Sequence, residues 1–129
     1  MLSLRRETEY AVQMLRVLSK SNKDTSLKDV SEEIGASFLF LQKIARKLRQ
    51  AKLISAGKGV NGGYSLLISP KKLSLGKIIA VTENACELLP CCQKKFLCSK
   101  SKNCALKGKV LKVNDALNSM LAKIKLSDL

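Results

Sequence analysis

The sequence predicts a mainly α-helical chain carrying one small β-hairpin, and three observations support this. Apolar residues recur at three- and four-residue intervals in several separate stretches. A glycine-rich segment, GKGVNGG, holds four of the seven glycines and lies between two short β-prone pieces. From Leu106 onward the apolar residues keep an alternating spacing of four and three. The 129 residues fit one domain, and an apolar content of 46% is enough for a core. No apolar run approaches the ~20 residues that span a bilayer, so no membrane segment is expected. Arg5, Arg6 and Glu7 are followed by no apolar leader region, so no secretory signal is expected either, and the expected location is cytoplasmic.

Residues 8–20 read as the first helix, with Ala11, Leu15 and Leu18 at helical spacing and Tyr10, Met14 and Val17 beside them. Asn22 to Thr25 is a polar break. Ser26, with Asp29 three residues on, resembles a capping box opening a helix with the stripe Leu27, Val30 and Ile34, which Gly35 stops. Ser37 is a second N-cap candidate. Behind it Phe38, Leu41, Ile44 or Ala45, and Leu48 face one way, and Gln42, Lys43, Arg46, Lys47, Arg49 and Gln50 face the other. Two short helices joined by a tight glycine-containing turn, the second strongly basic, suggest a helix-turn-helix, although helical hairpins with a solvated basic face give the same pattern. The next segment decides between them. Leu53-Ile54-Ser55, the glycine loop, and Tyr64 to Ile68 closed by Ser69-Pro70 read as a hairpin, and a hairpin directly after a helix-turn-helix is a wing. Lys58 sits in the wing loop, where missing side chains let the backbone approach a phosphate or enter a groove. A nucleotide phosphate loop is the rival reading, but it needs a Gly-Lys-Ser/Thr ending that opens a helix, and here a strand follows.

Ser74 begins another helix with Leu75, Ile78, Ile79 and Val81 apolar, fading near Glu83-Asn84. A cysteine- and lysine-rich loop without periodicity follows, long enough to suggest a functional segment or a bound ion. From Ala105 the chain is helical again. Leu106, Val110, Val113, Leu117, Met120 and Ile124 form a seam along a helix ~30 Å long, for which so small a chain offers little surface of its own. A dimer helix is expected. The organisation is therefore a winged helix-turn-helix over 1–83, a cysteine-rich loop over 84–104, and a dimerisation helix and tail over 105–129.

Charge points to the partner. There are 24 Lys and Arg against 10 Asp and Glu, a formal net charge of +14. The excess is spread along the chain and concentrates polyanions. Only 4% of residues are aromatic and there is no Trp, which argues against stacking platforms for single strands. The absence of His removes the commonest general base and the commonest neutral metal ligand, so an enzyme is not expected. A basic adaptor for RNA or an acidic protein remains the alternative of another class.

All five cysteines lie between residues 86 and 104, and Cys92, Cys98 and Cys104 are evenly spaced as C-x5-C-x5-C. Interleaved lysines favour the thiolate. Structural zinc sites more often use close pairs such as C-x2-C, whereas even gaps of five suit a larger object such as an iron–sulfur cluster. Free thiols, a redox disulfide, or zinc with Cys91 added stay open. A fourth ligand would come from another Cys, a carboxylate such as Glu83 or Glu87, or an exogenous group.

The segments TEYAVQML, FLQKIARKLRQAKLISAGKGVNGGYSL, LSLGKIIAVTE, the C-x5-C-x5-C run and KIKLSDL together resemble the family of small winged-helix bacterial regulators that includes IscR and NsrR, over nearly the whole chain. The resemblance implies a homodimer on a near-palindromic operator of double-stranded DNA, with the second helix of the helix-turn-helix in the major groove and the wing in the minor groove. Gln42 and Lys43 fall where IscR-like proteins read bases, and Arg46 and Lys47 are expected on phosphates. Lys58 replaces the usual wing Arg, keeping the charge and losing the planar fork. Ser37 and Asn61 complete the expected DNA face. The family also implies an iron–sulfur cluster of two or four irons on Cys92, Cys98 and Cys104. IscR-like members add a His where this chain has Lys107. NsrR-like members use an acidic residue of the first helix from the partner subunit, and here Glu9 precedes Tyr10-Ala11, so Glu9 is the candidate fourth ligand.

Overall fold

Helix α1 (Arg6–Lys20) buries Ala11, Met14, Leu15, Val17 and Leu18, and the N-terminal part of the molecule assembles on that stripe. The computed structural model describes residues 3–57, 59, 62–83, 88–92, 97–100 and 102–129. Helix α2 (Leu27–Ile34) starts at Ser26, whose Oγ accepts the Asp29 N–H at 3.1 Å. It ends at Gly35, which takes the left-handed conformation (φ 67°) that closes a helix cheaply only for glycine. The buried Ala36 and the N-cap Ser37 complete the turn, and α3 (Phe38–Gln50) follows at once with Leu41, Ile44, Ala45 and Leu48 fully buried. The helix-turn-helix read from the sequence is present with both caps where the serines predict them.

Past α3 the chain closes with the Leu53 N–H on the Leu48 carbonyl (3.0 Å), and Lys52 between them is left-handed with φ 58°. Strand β1 (Ile54–Ala56) then pairs antiparallel with β2 (Tyr64–Leu66), Ile54 opposite Leu66 and Ala56 opposite Tyr64. Strand β1 is as long as the β-prone piece read there but starts one residue later, because Leu53 closes α3 and is buried in the core, and β2 stops two residues before Ile68. The hairpin is fixed to the α1–α2 connection by paired bonds between Thr25 and Tyr64 (3.0 and 2.8 Å). Gly63 makes this approach possible, since a Cβ there would lie 2.6 Å from the Thr25 backbone. The wing residues Lys58 and Asn61 lie outside the described residues.

Helix α4 (Leu75–Glu83) buries Ile78, Ile79 and Thr82 against α1 and α3. Its C-terminal end caps α1. The Arg5 N–H donates to Glu83 Oε1 at 2.9 Å, so α1 begins two residues before the apolar pattern starts. Helix α5 (Lys107–Lys123) is shorter than the predicted seam, with Leu106 and Ile124 as its flanking caps. It is held at its C-terminal end and at its middle. The Leu75 N–H donates to the Ile124 carbonyl (2.8 Å) and the Leu126 N–H to the Leu73 carbonyl (2.8 Å), which seats Leu126 in the core. Midway along the helix the Leu88 N–H donates to Oδ1 of the buried Asn114 (3.0 Å), beside a 3-10 turn at Pro90–Cys92. Among the described residues no helix is long and apolar enough to cross a membrane.

Lys52 stands where the backbone favours glycine, at a cost of about 1–2 kcal/mol for a side chain. Lys52→Gly is expected to leave the fold intact and raise the unfolding free energy by up to about 1 kcal/mol in urea titration, the gain reduced by the greater freedom of glycine when unfolded.

Candidate nucleic-acid interface and cysteine loop

The buried stripe of α3 leaves its other face in water, and Gln42, Lys43, Arg46, Arg49 and Gln50 are all exposed on it. Gln42, Arg46, Arg49 and Gln50 line a shallow cleft of about 550 Å³ closed on one side by Tyr64 of β2. The cleft thus combines amide, guanidinium and phenol groups able to meet base edges and phosphates. Arg49, Gln50 and Tyr64 were not in the expected DNA face. The spacing 42, 46, 49, 50 along one helix is the signal that would have included the first two. Ser37 is exposed, but its hydroxyl accepts the Phe40 N–H at 3.2 Å, so it serves first as a cap.

Lys47 departs from the expectation. Its ammonium lies 2.8 Å from Glu7 Oε1 and donates to the Thr82 carbonyl at 3.1 Å. It faces inward over α1 and α4, and a phosphate would have to win it from a nearly buried carboxylate. Glu7 has only 12% of its side chain exposed, and its Oε1 has no well-directed hydrogen bond besides this ion pair. Lys43, 63% exposed and 3.9 Å from the same oxygen, is much freer to leave.

A second polar contact sits beside the first. Thr8 and Thr82 are buried with their hydroxyls 2.7 Å apart, and Thr8 Oγ1 donates to Glu83 Oε1 at 2.6 Å. Each hydroxyl has one proton, and a carboxylate only accepts, so Thr8 donates to Glu83, while the Thr82 proton is divided between Thr8 Oγ1 and the Ile78 carbonyl of its own helix (3.0 Å). Glu83 Oε1 is therefore committed to capping and to this chain, which leaves it poorly placed as the metal ligand it could have been on sequence grounds. Glu9, the residue after Thr8, is exposed, and its carboxylate receives only a long bond (3.4 Å) from Gln13.

The cysteine loop begins where α4 ends. Cys92 and Cys98 are half-buried, Cys104 is exposed, and all three are free thiols, as is Cys91. The Cys91 thiol is held above its ordinary pKa, chiefly by desolvation and then by Cys92, with Cys98 also contributing. Soft sulfur donors in a chain without His suit an iron–sulfur cluster chemically. Among the described residues no three Cys, Asp or Glu side chains converge into a group that could hold a metal ion. Cys86 and Glu87 lie outside the described residues.

A helix-turn-helix with an exposed basic recognition helix, followed by a hairpin wing, defines a DNA-binding transcription regulator. The chain belongs to the Rrf2 family, described as iron-dependent transcriptional regulators, whose model it matches over residues 4–129. It is 30% identical over 125 residues to the HTH-type transcriptional regulator NsrR of Halalkalibacterium halodurans, covering 95% of this chain and 86% of that protein. Among solved structures it resembles CymR, the global cysteine regulator of B. subtilis, with a TM-score of 0.79 and 25% identity, covering 99% of this chain and 95% of that one. IscR of T. potens superposes with a TM-score of 0.71 at 29% identity, covering 98% and 85% of the two chains. These relatives are transcriptional regulators and not enzymes.

Arg46→Ala and Lys47→Ala are expected to separate the two kinds of basic residue on α3. Arg46→Ala should lower the slope of log affinity against log salt for duplex DNA by about one. Lys47→Ala should leave that slope unchanged and cost roughly 1–3 kcal/mol of stability, because Glu7 loses its partner. Equal losses of slope would place the Lys47 ammonium on the DNA.

Proposed function

We propose that the chain acts as a homodimer whose affinity for a near-palindromic operator is set by an iron–sulfur cluster on Cys92, Cys98 and Cys104, with Glu9 of the other copy as fourth donor. One observation carries this reading. The last two residues of α4 before the cysteine loop are bonded to the first turn of α1, and one of them also holds Lys47 of the DNA-reading helix. A change of state in the loop therefore acts on the same junction that sets how α3 sits. The bound cluster would supply a centre that gains or loses electrons, or reacts with a small oxidant. The protein's part is to hold it with thiolates and to pass its loss to the two reading heads, whose separation must match half-sites at fixed spacing.

Dimerisation through α5 is supported by its surface. Leu106, Val113 and Met120 are seven residues apart and 57%, 58% and 65% exposed in a single copy, while Val110, Leu117 and Ile124 are half-buried. A row of large apolar side chains in water is the seam that a second copy would cover.

A cluster-free thiol sensor is the second reading. It is favoured by the free thiols of Cys91, Cys92, Cys98 and Cys104 and by the likeness to a cysteine regulator. Anaerobic purification with iron, acid-labile sulfide and zinc assays decides between them. Matching iron and sulfide, absent from Cys98→Ala, are expected for the cluster. Zinc alone or no metal after reconstitution would leave the thiols as the sensor. Loaded and cluster-free protein should differ at least tenfold in affinity for a duplex enriched from a random library by the wild type.

Glu9→Ala should alter the visible spectrum or speed cluster loss in air with the apo protein still folded. An unchanged spectrum and lifetime would remove Glu9 from the site. Met120→Glu is expected to give a folded monomer by light scattering, with operator affinity falling in proportion to the lost pairing.

A further inference from the structure

The exposed face of α3 is polar except at its first two residues, Phe38, 45% exposed, and Leu39. Leu39 is 77% exposed, and among the described residues only Leu97, in the cysteine loop, is a more exposed large apolar side chain. At about 100° per residue, Leu39 and Arg46 point within roughly 20° of each other, and Gln42, Lys43 and Gln50 flank that line. Leu39 is thus at the centre of the reading face, not at the rim where it could fold back on the core. It is the second residue of α3, in the first helical turn after the helix-turn-helix, the part of such a helix that meets base edges.

Three features restrict what can cover it. The surrounding face is cationic and hydrogen-bonding, which fits a polyanion and not an apolar protein surface. The exposed row that suits a second copy of the chain is on α5, a different element. The major groove presents one apolar group, the C5 methyl of thymine, beside the acceptors and donors that Gln42 and Lys43 can address.

We propose that Leu39 is a specificity-determining residue that reads a thymine methyl in each operator half-site. The inference rests on the DNA-binding role of α3 and adds a chemical class of base to it. The methyl is removed from water against the Leu39 side chain, and no hydrogen bond is involved, so the contact is insensitive to salt.

The test uses a duplex enriched from a random library by the full-length wild-type protein, then resynthesised with deoxyuridine in place of thymidine at one symmetric pair of positions at a time. Uracil lacks only the methyl. At one pair, wild type should bind the uracil duplex about fourfold more weakly per half-site. Leu39→Ala should bind both duplexes alike there, with an unchanged melting temperature, dimer mass and salt slope. The same thymine-to-uracil ratio in wild type and Leu39→Ala at every position would overturn the assignment. So would a change of oligomeric state in Leu39→Ala, which would place Leu39 in a protein contact. Failure to enrich any duplex would instead overturn the DNA-binding role of α3, and with it this assignment. Leu39→Ser should shift the enriched sequence away from thymine at that position while leaving the rest of the half-site intact.

Discussion

The geometry of the molecule depends on one polar junction, where the first turn of α1, the last turn of α3 and the end of α4 meet. Glu7 and Lys47 form an ion pair there that is mostly withdrawn from water, and Thr82, Thr8 and Glu83 form a hydrogen-bond chain beside it. Apolar packing holds the three helices together, but it is tolerant of sliding. Groups with fixed donors and acceptors are not. A displacement of α4 by an ångström breaks the Lys47 bond to the Thr82 carbonyl and the Thr8 bond to Glu83, and leaves those polar groups without their partners. The junction therefore sets the register of the DNA-reading helix against the element that leads into the cysteines.

The same constraint explains why the two ends of the chain close on the middle. Glu83 caps α1 from 78 residues away, and Leu126 enters the core alongside Leu73. Helix α1 thus lacks this cap until α4 arrives, and α5 is tied at its middle and its C-terminal end. Along its outer side the helix offers its apolar row to solvent, a geometry suited to pairing with a copy of itself.

Most of the architecture is legible in the sequence because it is local. Ser26, Gly35 and Ser37 announce caps and a turn by residue type, and the stripe Leu41, Ile44, Ala45 and Leu48 gives the orientation of α3 without further help. The candidate site is less legible because its decisive contacts join distant residues. Periodicity places Lys47 on the polar side of α3, and nothing near it in sequence shows that Glu7 and Thr82 will claim its ammonium. Glu83 looks like a spare carboxylate near the cysteines until Arg5 and Thr8 are seen to occupy it. Tyr64 reads as an ordinary strand residue, and only the packing of the hairpin brings it to the edge of the α3 cleft. The even spacing of Cys92, Cys98 and Cys104 conveys donor chemistry, but spacing alone carries no statement about where three thiols meet.

The inward turn of Lys47 also bears on how a regulator finds its target among the rest of the chromosome. A cation neutralised by Glu7 has less charge to offer phosphates, and phosphate contacts are made on every sequence alike. Such a pair lowers the hold on right and wrong sites together, so the choice between them stays with the groups that address base edges. In a protein carrying a charge of +14, the other cations are left to supply the general hold.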